Sequence, residues 1–310
     1  MEELASIEIT FLGTGGSIPT PKRGLSAIVV RRKNEFILFD CGEGTQRQMI
    51  QAGVGFHKKE KIFITHMHGD HVLGLPGLLQ TMSLLGRTKE LQIYGPEGIK
   101  KFVETINETV RYSLTFPVEI FEKDEGIVCD EKEYQVIAAK SVHMEPSVSY
   151  AFVEKPRPGR FNAKKARMLG VPEGTLWSKL QSGEKVELGD GTIIEPEMIL
   201  GKPRLGRKIV YTGDTGPSEA LVELAKDADL LIHESTFEDS MTERAKEDGH
   251  STPSMAAQTA KKANVKQLIL THISARYTDP NLLLQQAKKI FKKTLVAEDF
   301  LKVELPLSKD

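Results

Sequence analysis

A chain of 310 residues is long enough to bury a sizeable core, either as one large α/β domain or as two modest ones. With 39% hydrophobic and 27% charged residues, no apolar run approaches the roughly 18 residues of a membrane span, and no basic-then-apolar leader opens the sequence. A soluble, cytoplasmic protein without a membrane partner is expected. Forty-two basic against 43 acidic residues leave a net charge of -1, which argues against wholesale wrapping by nucleic acid, and the two cysteines, Cys41 and Cys129, are too few for a disulfide framework.

In chain order, short β-branched apolar runs read as strands at 7–12, 36–39, 61–65, 91–94, 134–139, 208–212, 230–232 and 267–271. Helical periodicity lies between some of them, at 44–51, 74–85, 98–105, 218–225, 254–262 and 282–291. The mixture predicts an α/β domain over 1–310 with a sheet core and helical flanks. From 155 to 200 the rhythm is broken by Pro156, Pro158, Gly159, Gly170, Pro172, Gly174, Gly183 and Gly189, which marks an inserted arm. Residues 155–185 carry eight Lys or Arg against two Glu, a local excess of the kind that contacts polyanions.

The densest chemical signal is His66-Met67-His68-Gly69-Asp70-His71, which follows an apolar run directly. In extended backbone His66 and His68 project to one side, and Gly69 lets the chain turn so that Asp70 and His71 reach a second point nearby. Three more candidates also close apolar runs: His143, Asp214 and His272. Each alone reads as an ordinary core histidine or turn aspartate, but strand ends are where α/β sheets build sites, and together they form a set. Imidazole and carboxylate without thiolate suit Zn²⁺, with Mn²⁺ or Fe²⁺ as alternatives. Seven ligands exceed the four of a closed structural site, so two ions per subunit and no organic cofactor are expected.

These residues, at these spacings, resemble the metallo-β-lactamase fold superfamily of dinuclear hydrolases, an αββα sandwich of two mixed sheets flanked by helices. More closely, the chain resembles the ribonuclease Z family of tRNA 3′-processing endonucleases. The likeness is carried by Phe11-Leu12-Gly13-Thr14-Gly15, Phe39-Asp40-Cys41-Gly42-Glu43-Gly44, His233-Glu234-Ser235-Thr236, His250-Ser251-Thr252 and Thr271 to Tyr277. It implies one zinc on His66, His68 and His143, a second on Asp70, His71 and His272, and Asp214 between them. It further implies Asp70 as general base, Glu234 and His250 as the pair that protonates the leaving oxygen, a protruding exosite arm, a homodimer, and precursor tRNA as substrate.

Substrate contacts implied by the same resemblance are Arg160, Lys164, Lys165 and Arg167 in the arm, Arg276 near the site, and Lys22 and Arg23 in the Pro19 to Gly24 loop. That loop departs from the family pattern by lacking its asparagine. Removal of a 3′ trailer, leaving a tRNA 3′ hydroxyl and a trailer 5′ phosphate, is the expected reaction. A small-molecule phosphodiesterase or thioesterase on the same dinuclear fold is the alternative, and an RNA-binding scaffold with a degenerate site is a third. The basic arm and Arg276 favour the first, because a small ester needs neither.

Overall fold

The computed structural model describes residues 6–56 and 59–307, so His57 lies outside the described residues. By its internal contacts the chain divides into two units, one comprising Met1–Glu131, Gln135–Val153 and Arg207–Leu307, the other chiefly Glu154–Gly206.

The larger unit holds two seven-stranded mixed sheets. Sheet I runs Lys302–Leu305, Ile7–Gly13, Ala27–Arg32, Glu35–Phe39, Lys59–Phe63, Leu91–Gly95, Val118–Glu122. Sheet II runs Thr294–Val296, Leu268–Thr271, Leu230–Glu234, Lys208–Tyr211, Val148–Glu154, Tyr134–Lys140, Gly126–Asp130. Side-chain alternation decides how they layer. Ile62 and Ile64 join an outer apolar cluster with Leu75, Leu78 and Ile99 of the flanking helices, while Phe63 between them points inward. Phe39 and Phe63 of sheet I meet Tyr150 and Tyr211 of sheet II with ring centroids 5.4–6.0 Å apart. The outer face of sheet II is covered by helices Glu219–Ala225, Pro253–Lys262 and Asn281–Lys288, whose Leu221, Ala256, Ala260 and Ala287 pack on Val210, Leu231 and Leu270. Alanine on the middle helix permits close approach to the sheet, and Thr252 caps its first turn by accepting the Met255 N–H.

Several strands that the sequence pattern does not announce complete these sheets: Ala27–Arg32, Val118–Glu122, Gly126–Asp130, Val148–Glu154, Thr294–Val296 and Lys302–Leu305. The first ends in Arg31-Arg32 and runs on into Lys33, which hides its apolar part, and the last pair are edge strands of three and four residues, too short to show a period.

The smaller unit has its own apolar core of Ala166, Val171, Leu180, Val186, Ile194 and Ile199. Helices Ala163–Met168 and Thr175–Gln181 and a two-stranded ribbon, Val186–Glu187 with Ile193–Ile194, supply it. Asn162 caps the first helix by accepting the Lys165 N–H at 2.9 Å. The segment marked by sequence as 155–185 therefore sits within a unit that continues to Gly206. Its continuation is no longer basic, because Glu187, Asp190, Glu195 and Glu197 outnumber Lys202 and Arg204.

Candidate metal centre

Four strands and one short helix of the larger unit deliver the candidate ligands. His66 and His68 follow strand Lys59–Phe63, Asp70 and His71 lie on helix Gly69–Val72, His143 follows Tyr134–Lys140, Asp214 follows Lys208–Tyr211, and His272 follows Leu268–Thr271. His272 adopts φ +54°, and its ring packs so closely on Gly16 that a Cβ there would stand 2.6 Å from Cε1. Glycine at 16 is thus required by the approach of the imidazole.

The ligand atoms form two main groups. His66, His68, His143 and Asp214 make one, and Asp70, His71 and His272 the other, while Asp214 and His272 also gather with His250. Asp214 faces both. Its Oδ2 lies 3.8 Å from His66 Nε2 and 3.9 Å from His143 Nε2, while its Oδ1 lies 3.4 Å from both His71 Nε2 and His272 Nε2. His143 Nε2 and His68 Nδ1 stand 3.2 Å apart, and His272 Nε2 and Asp70 Oδ2 stand 3.2 Å apart.

His66 Nε2 and Asp214 Oδ1 are buried without a hydrogen-bond partner. Burial, followed by repulsion from His71, drives the His66 pKa well down, and burial lowers that of His143. Both imidazoles are therefore neutral, with a lone pair free, which is the ligating form. Asp214 is held far below the carboxylate range, since burial pushes it up but the imidazoles of His272 and His71 outweigh that. Asp70 is also pulled down; burial opposes the shift, and the hydrogen bond from His272 dominates. Orphaned buried atoms, the neutral imidazoles of His66 and His143 and two anionic carboxylates fit divalent cations. Burial pulls the His71 imidazolium down, but Asp214 and Asp40 outweigh it and hold His71 well above the usual imidazole range, so a bound cation would take the place of its Nε2 proton.

The opposite edge of four of the five rings is fixed. Thr65 Oγ1 lies 3.0 Å from His66 Nδ1, Asp40 Oδ2 2.7 Å from His71 Nδ1, the Gly249 carbonyl 3.0 Å from His143 Nδ1, and Thr236 Oγ1 2.8 Å from His272 Nδ1. Such partners set the ring orientation and leave Nε2 to face inward. Asp40 is fully buried, at φ +57°, and also accepts from Thr65 N–H at 2.7 Å and the Tyr211 hydroxyl at 2.7 Å. In the sequence Asp40 stands out only as part of a motif. Its place at the end of strand Glu35–Phe39, like the ligands at other strand ends, is the signal that would have marked it.

Glu234 and His250 meet beside the cluster. Glu234 Oε1 lies 2.8 Å from His250 Nδ1 and accepts the Thr215 and Ser251 N–H groups, while Oε2 accepts the N–H and hydroxyl of Thr236. Burial pulls the His250 imidazolium down, but Glu234 prevails and pushes its pKa up to about 9. A carboxylate so fully used holds its partner ring in place and leaves Nε2 unengaged by it.

Family models match the chain in two stretches: residues 7–154 fit "Anti-Pycsar protein Apyc1" and residues 198–273 fit "Beta-lactamase superfamily domain". Ribonuclease Z of Methanosarcina acetivorans is 50% identical over 301 residues, covering 97% of this chain and 98% of that relative. Ribonuclease Z of Haloferax volcanii is 49% identical, covering 97% and 96%. The chain belongs to the ribonuclease Z family. Human tRNase Z, short form, superposes with a TM-score of 0.70 at 33% identity, covering 96% of this chain and 99% of that one. The metallo-β-lactamase fold protein YhfI of Bacillus subtilis, 19% identical with a TM-score of 0.67, shares the fold, covering 97% of this chain and 100% of that one. This ribonuclease Z family member thus has the metallo-β-lactamase fold and carries a divalent metal site in its His/Asp cluster.

The other sequence candidates differ in their freedom. Arg276 is exposed, lies over the Phe237 ring at 5.1 Å, and Phe237 meets the His250 ring edge-on at 5.7 Å, so this cation stands next to the catalytic candidates. Lys22 is exposed, but Arg23 is buried and donates to Thr14 Oγ1 at 2.6 Å and to the Ala297 carbonyl at 2.7 Å. Those donors hold its own loop, and burial lowers its pKa. In the smaller unit Lys164 and Lys165 are exposed on helix Ala163–Met168. Arg160 is exposed outside that helix, and Arg167 is engaged by Glu173 at 2.8 Å and stacked over Trp177 at 5.5 Å.

Proposed function

We propose that the protein is a zinc-dependent endoribonuclease that removes the 3′ trailer from precursor tRNA, leaving a tRNA 3′ hydroxyl and a trailer 5′ phosphate. The observation that carries this reading is Asp214, whose two oxygens face two separate groups of ligand atoms, in a chain matching ribonuclease Z relatives over nearly its whole length. One ion would be held by His66, His68 and His143, a second by Asp70, His71 and His272, with Asp214 shared. Thiolate-free imidazole and carboxylate donors favour zinc. Two such ions supply Lewis acidity to phosphoryl oxygens and make water a nucleophile near neutral pH.

The chain's own residues do the proton work. Asp70, kept anionic and fixed by the Ser17 N–H at 2.7 Å, receives a proton from the attacking water. His250, oriented and kept protonated by Glu234, delivers a proton to the departing 3′ oxygen. Arg276 and Lys22 neutralise phosphates near the cleavage site, and Arg160, Lys164, Lys165 and Arg167 act on the tRNA body through backbone contacts that read shape rather than sequence. The working form is a cytoplasmic homodimer; among the described residues no helix is long and apolar enough to cross a membrane.

The test is hydrolysis of a chromogenic phosphodiester beside cleavage of a trailer-bearing tRNA, each with and without chelator. Chelator-sensitive cleavage of the tRNA supports the proposal. Turnover of the small ester with no tRNA cleavage would favour a small-molecule hydrolase instead.

A further inference from the structure

Between residues 261 and 293 stand seven lysines and Arg276 against a single acid, Asp279. This stretch is as basic as residues 155–185, yet apart from Arg276 its charge has no role in the chemistry above. Topology gathers the lysines at one end of sheet II. Strands Leu230–Glu234, Leu268–Thr271 and Thr294–Val296 are parallel neighbours, and Glu234 and His272 mark the far ends of the first two. The turns leading into these strands therefore lie at the end opposite the metal centre.

Helices Pro253–Lys262 and Asn281–Lys288 finish at that end, bringing Lys261, Lys262, Lys288 and Lys289 there. Lys266, Lys292 and Lys293 follow in the turns, which are tied together: the Leu268 N–H donates to the Lys293 carbonyl at 3.0 Å, and the Lys266 N–H to the Ala228 carbonyl at 2.9 Å. Lys266, Lys292 and Lys293 line an open cavity of about 460 Å³ with Asn264, Asp227 and Phe291.

Local acids occupy only part of this charge. Asp229 takes Lys266 at 2.6 Å, Glu219 takes Lys262 at 3.2 Å, and Asp227 is engaged by Asn264 at 2.7 Å. Among the described residues, Lys261, Lys288, Lys289, Lys292 and Lys293 make no ion pair, and all five are exposed. Lysines at helix C-termini complement the helix dipole, which accounts for the helical four. It does not account for Lys292 and Lys293, which lie beyond the helix and face the cavity.

We propose that this end of sheet II is a second phosphate-binding surface, which holds the backbone of the substrate RNA away from the cleavage site. The inference rests on the endoribonuclease reading. Six residues of nearly extended chain separate Lys266 from His272, a span of roughly 20 Å. One polynucleotide can therefore meet both ends of the sheet. Clustered lysines neutralise phosphates as point charges and carry no base specificity.

The experiment compares the metal-loaded full-length protein with a variant carrying Lys288→Gln, Lys289→Gln, Lys292→Gln and Lys293→Gln. A control carries Lys100→Gln and Lys101→Gln, two exposed lysines on helix Ile99–Val110 of the other layer. Precursor tRNA affinity is measured from about 50 to 200 mM salt, with turnover of a chromogenic phosphodiester alongside. Expected is a roughly tenfold or greater rise in Kd at moderate salt, a log-log salt slope shallower by about 0.7 to 0.9 for each phosphate no longer neutralised, and unchanged small-ester turnover. Affinity and slope equal to wild type, or an equal change in the control, overturn the proposal. So does a variant that loses binding to anionic phospholipid vesicles while keeping tRNA affinity. A wild-type protein that fails to cleave precursor tRNA overturns the functional reading itself, whereas wild-type cleavage with an unaffected variant overturns this surface alone.

Discussion

The metal cluster and the smaller unit are built on opposite principles. In the cluster, every candidate ligand is anchored to a strand end or the helix that follows it, and four of the five imidazoles have a hydrogen-bond partner fixing the ring edge away from the centre. In the unit around Glu154–Gly206, a core of small and medium side chains supports cations that mostly reach into solvent. The first arrangement fixes geometry before substrate arrives; the second offers charge that adapts to a backbone. Chemistry and recognition should therefore be separable by mutation.

The largest effect is expected from Asp214→Ala, which removes the carboxylate facing both ligand groups. Turnover of tRNA and small ester alike should fall below detection, with metal content reduced and far-ultraviolet circular dichroism retained, because the site lies at strand ends. Full metal content with normal turnover would break the dinuclear reading.

Next comes the proton donor. His250→Ala should lower kcat for tRNA by about 10² to 10⁴ with metal content preserved, as for loss of a general acid. The Glu234 pairing predicts a pH signature. A group pushed up to about 9 stays protonated through neutral pH, so the rate falls as pH rises through that value. In Glu234→Gln the largest raising influence is gone, leaving Asp214 and Asp248, and the alkaline limb of the pH–rate profile should move toward lower pH. A profile that does not move would remove His250 from the role of acid.

A smaller change is expected from Asp40→Asn, which touches no substrate but leaves His71 Nδ1 without its anionic partner. Metal affinity should fall by about 10- to 100-fold, and added metal should restore most of the activity. Loss of activity that excess metal does not restore would rule out a role for Asp40 in positioning the His71 ligand.

Mildest for chemistry is removal of exposed charge in the smaller unit. Lys164→Gln with Lys165→Gln should raise KM for tRNA at moderate salt and flatten its salt dependence by about 0.7 to 0.9 for each phosphate left without its cation, with small-ester turnover unchanged. Equal loss on both substrates would erase the distinction between the two regions.

Much of the ligand set is legible in the sequence because it is local. His66 to His71 is contiguous, and His143, Asp214 and His272 each close an apolar run, so strand periodicity alone brings them to sheet ends. What supports them is less legible. Asp40 meets His71 across 31 residues and Thr236 meets His272 across 36, and neither pairing leaves a trace in spacing. The buried state of Arg23 is hidden for the same reason, since its carbonyl partner, Ala297, is 274 residues away. Pro and Gly in the 155–200 stretch obscure two short helices, whose apolar residues serve a core too small to impose a clear period. The lysines of 261–293 do not stand out in the sequence because they are spread over three elements, and only the parallel order of the strands collects them.

The central claim is that this ribonuclease Z family member cuts precursor tRNA through a metal centre organised by Asp214. Mapping both product ends after cleavage of one trailer-bearing tRNA by wild type, by chelated and zinc-restored enzyme, and by Asp214→Ala tests it most directly. The expected products are a tRNA 3′ hydroxyl and a trailer 5′ phosphate, abolished by chelator, restored by zinc and absent in the variant. A 3′ phosphate on the tRNA, or cleavage that persists in Asp214→Ala, would contradict it.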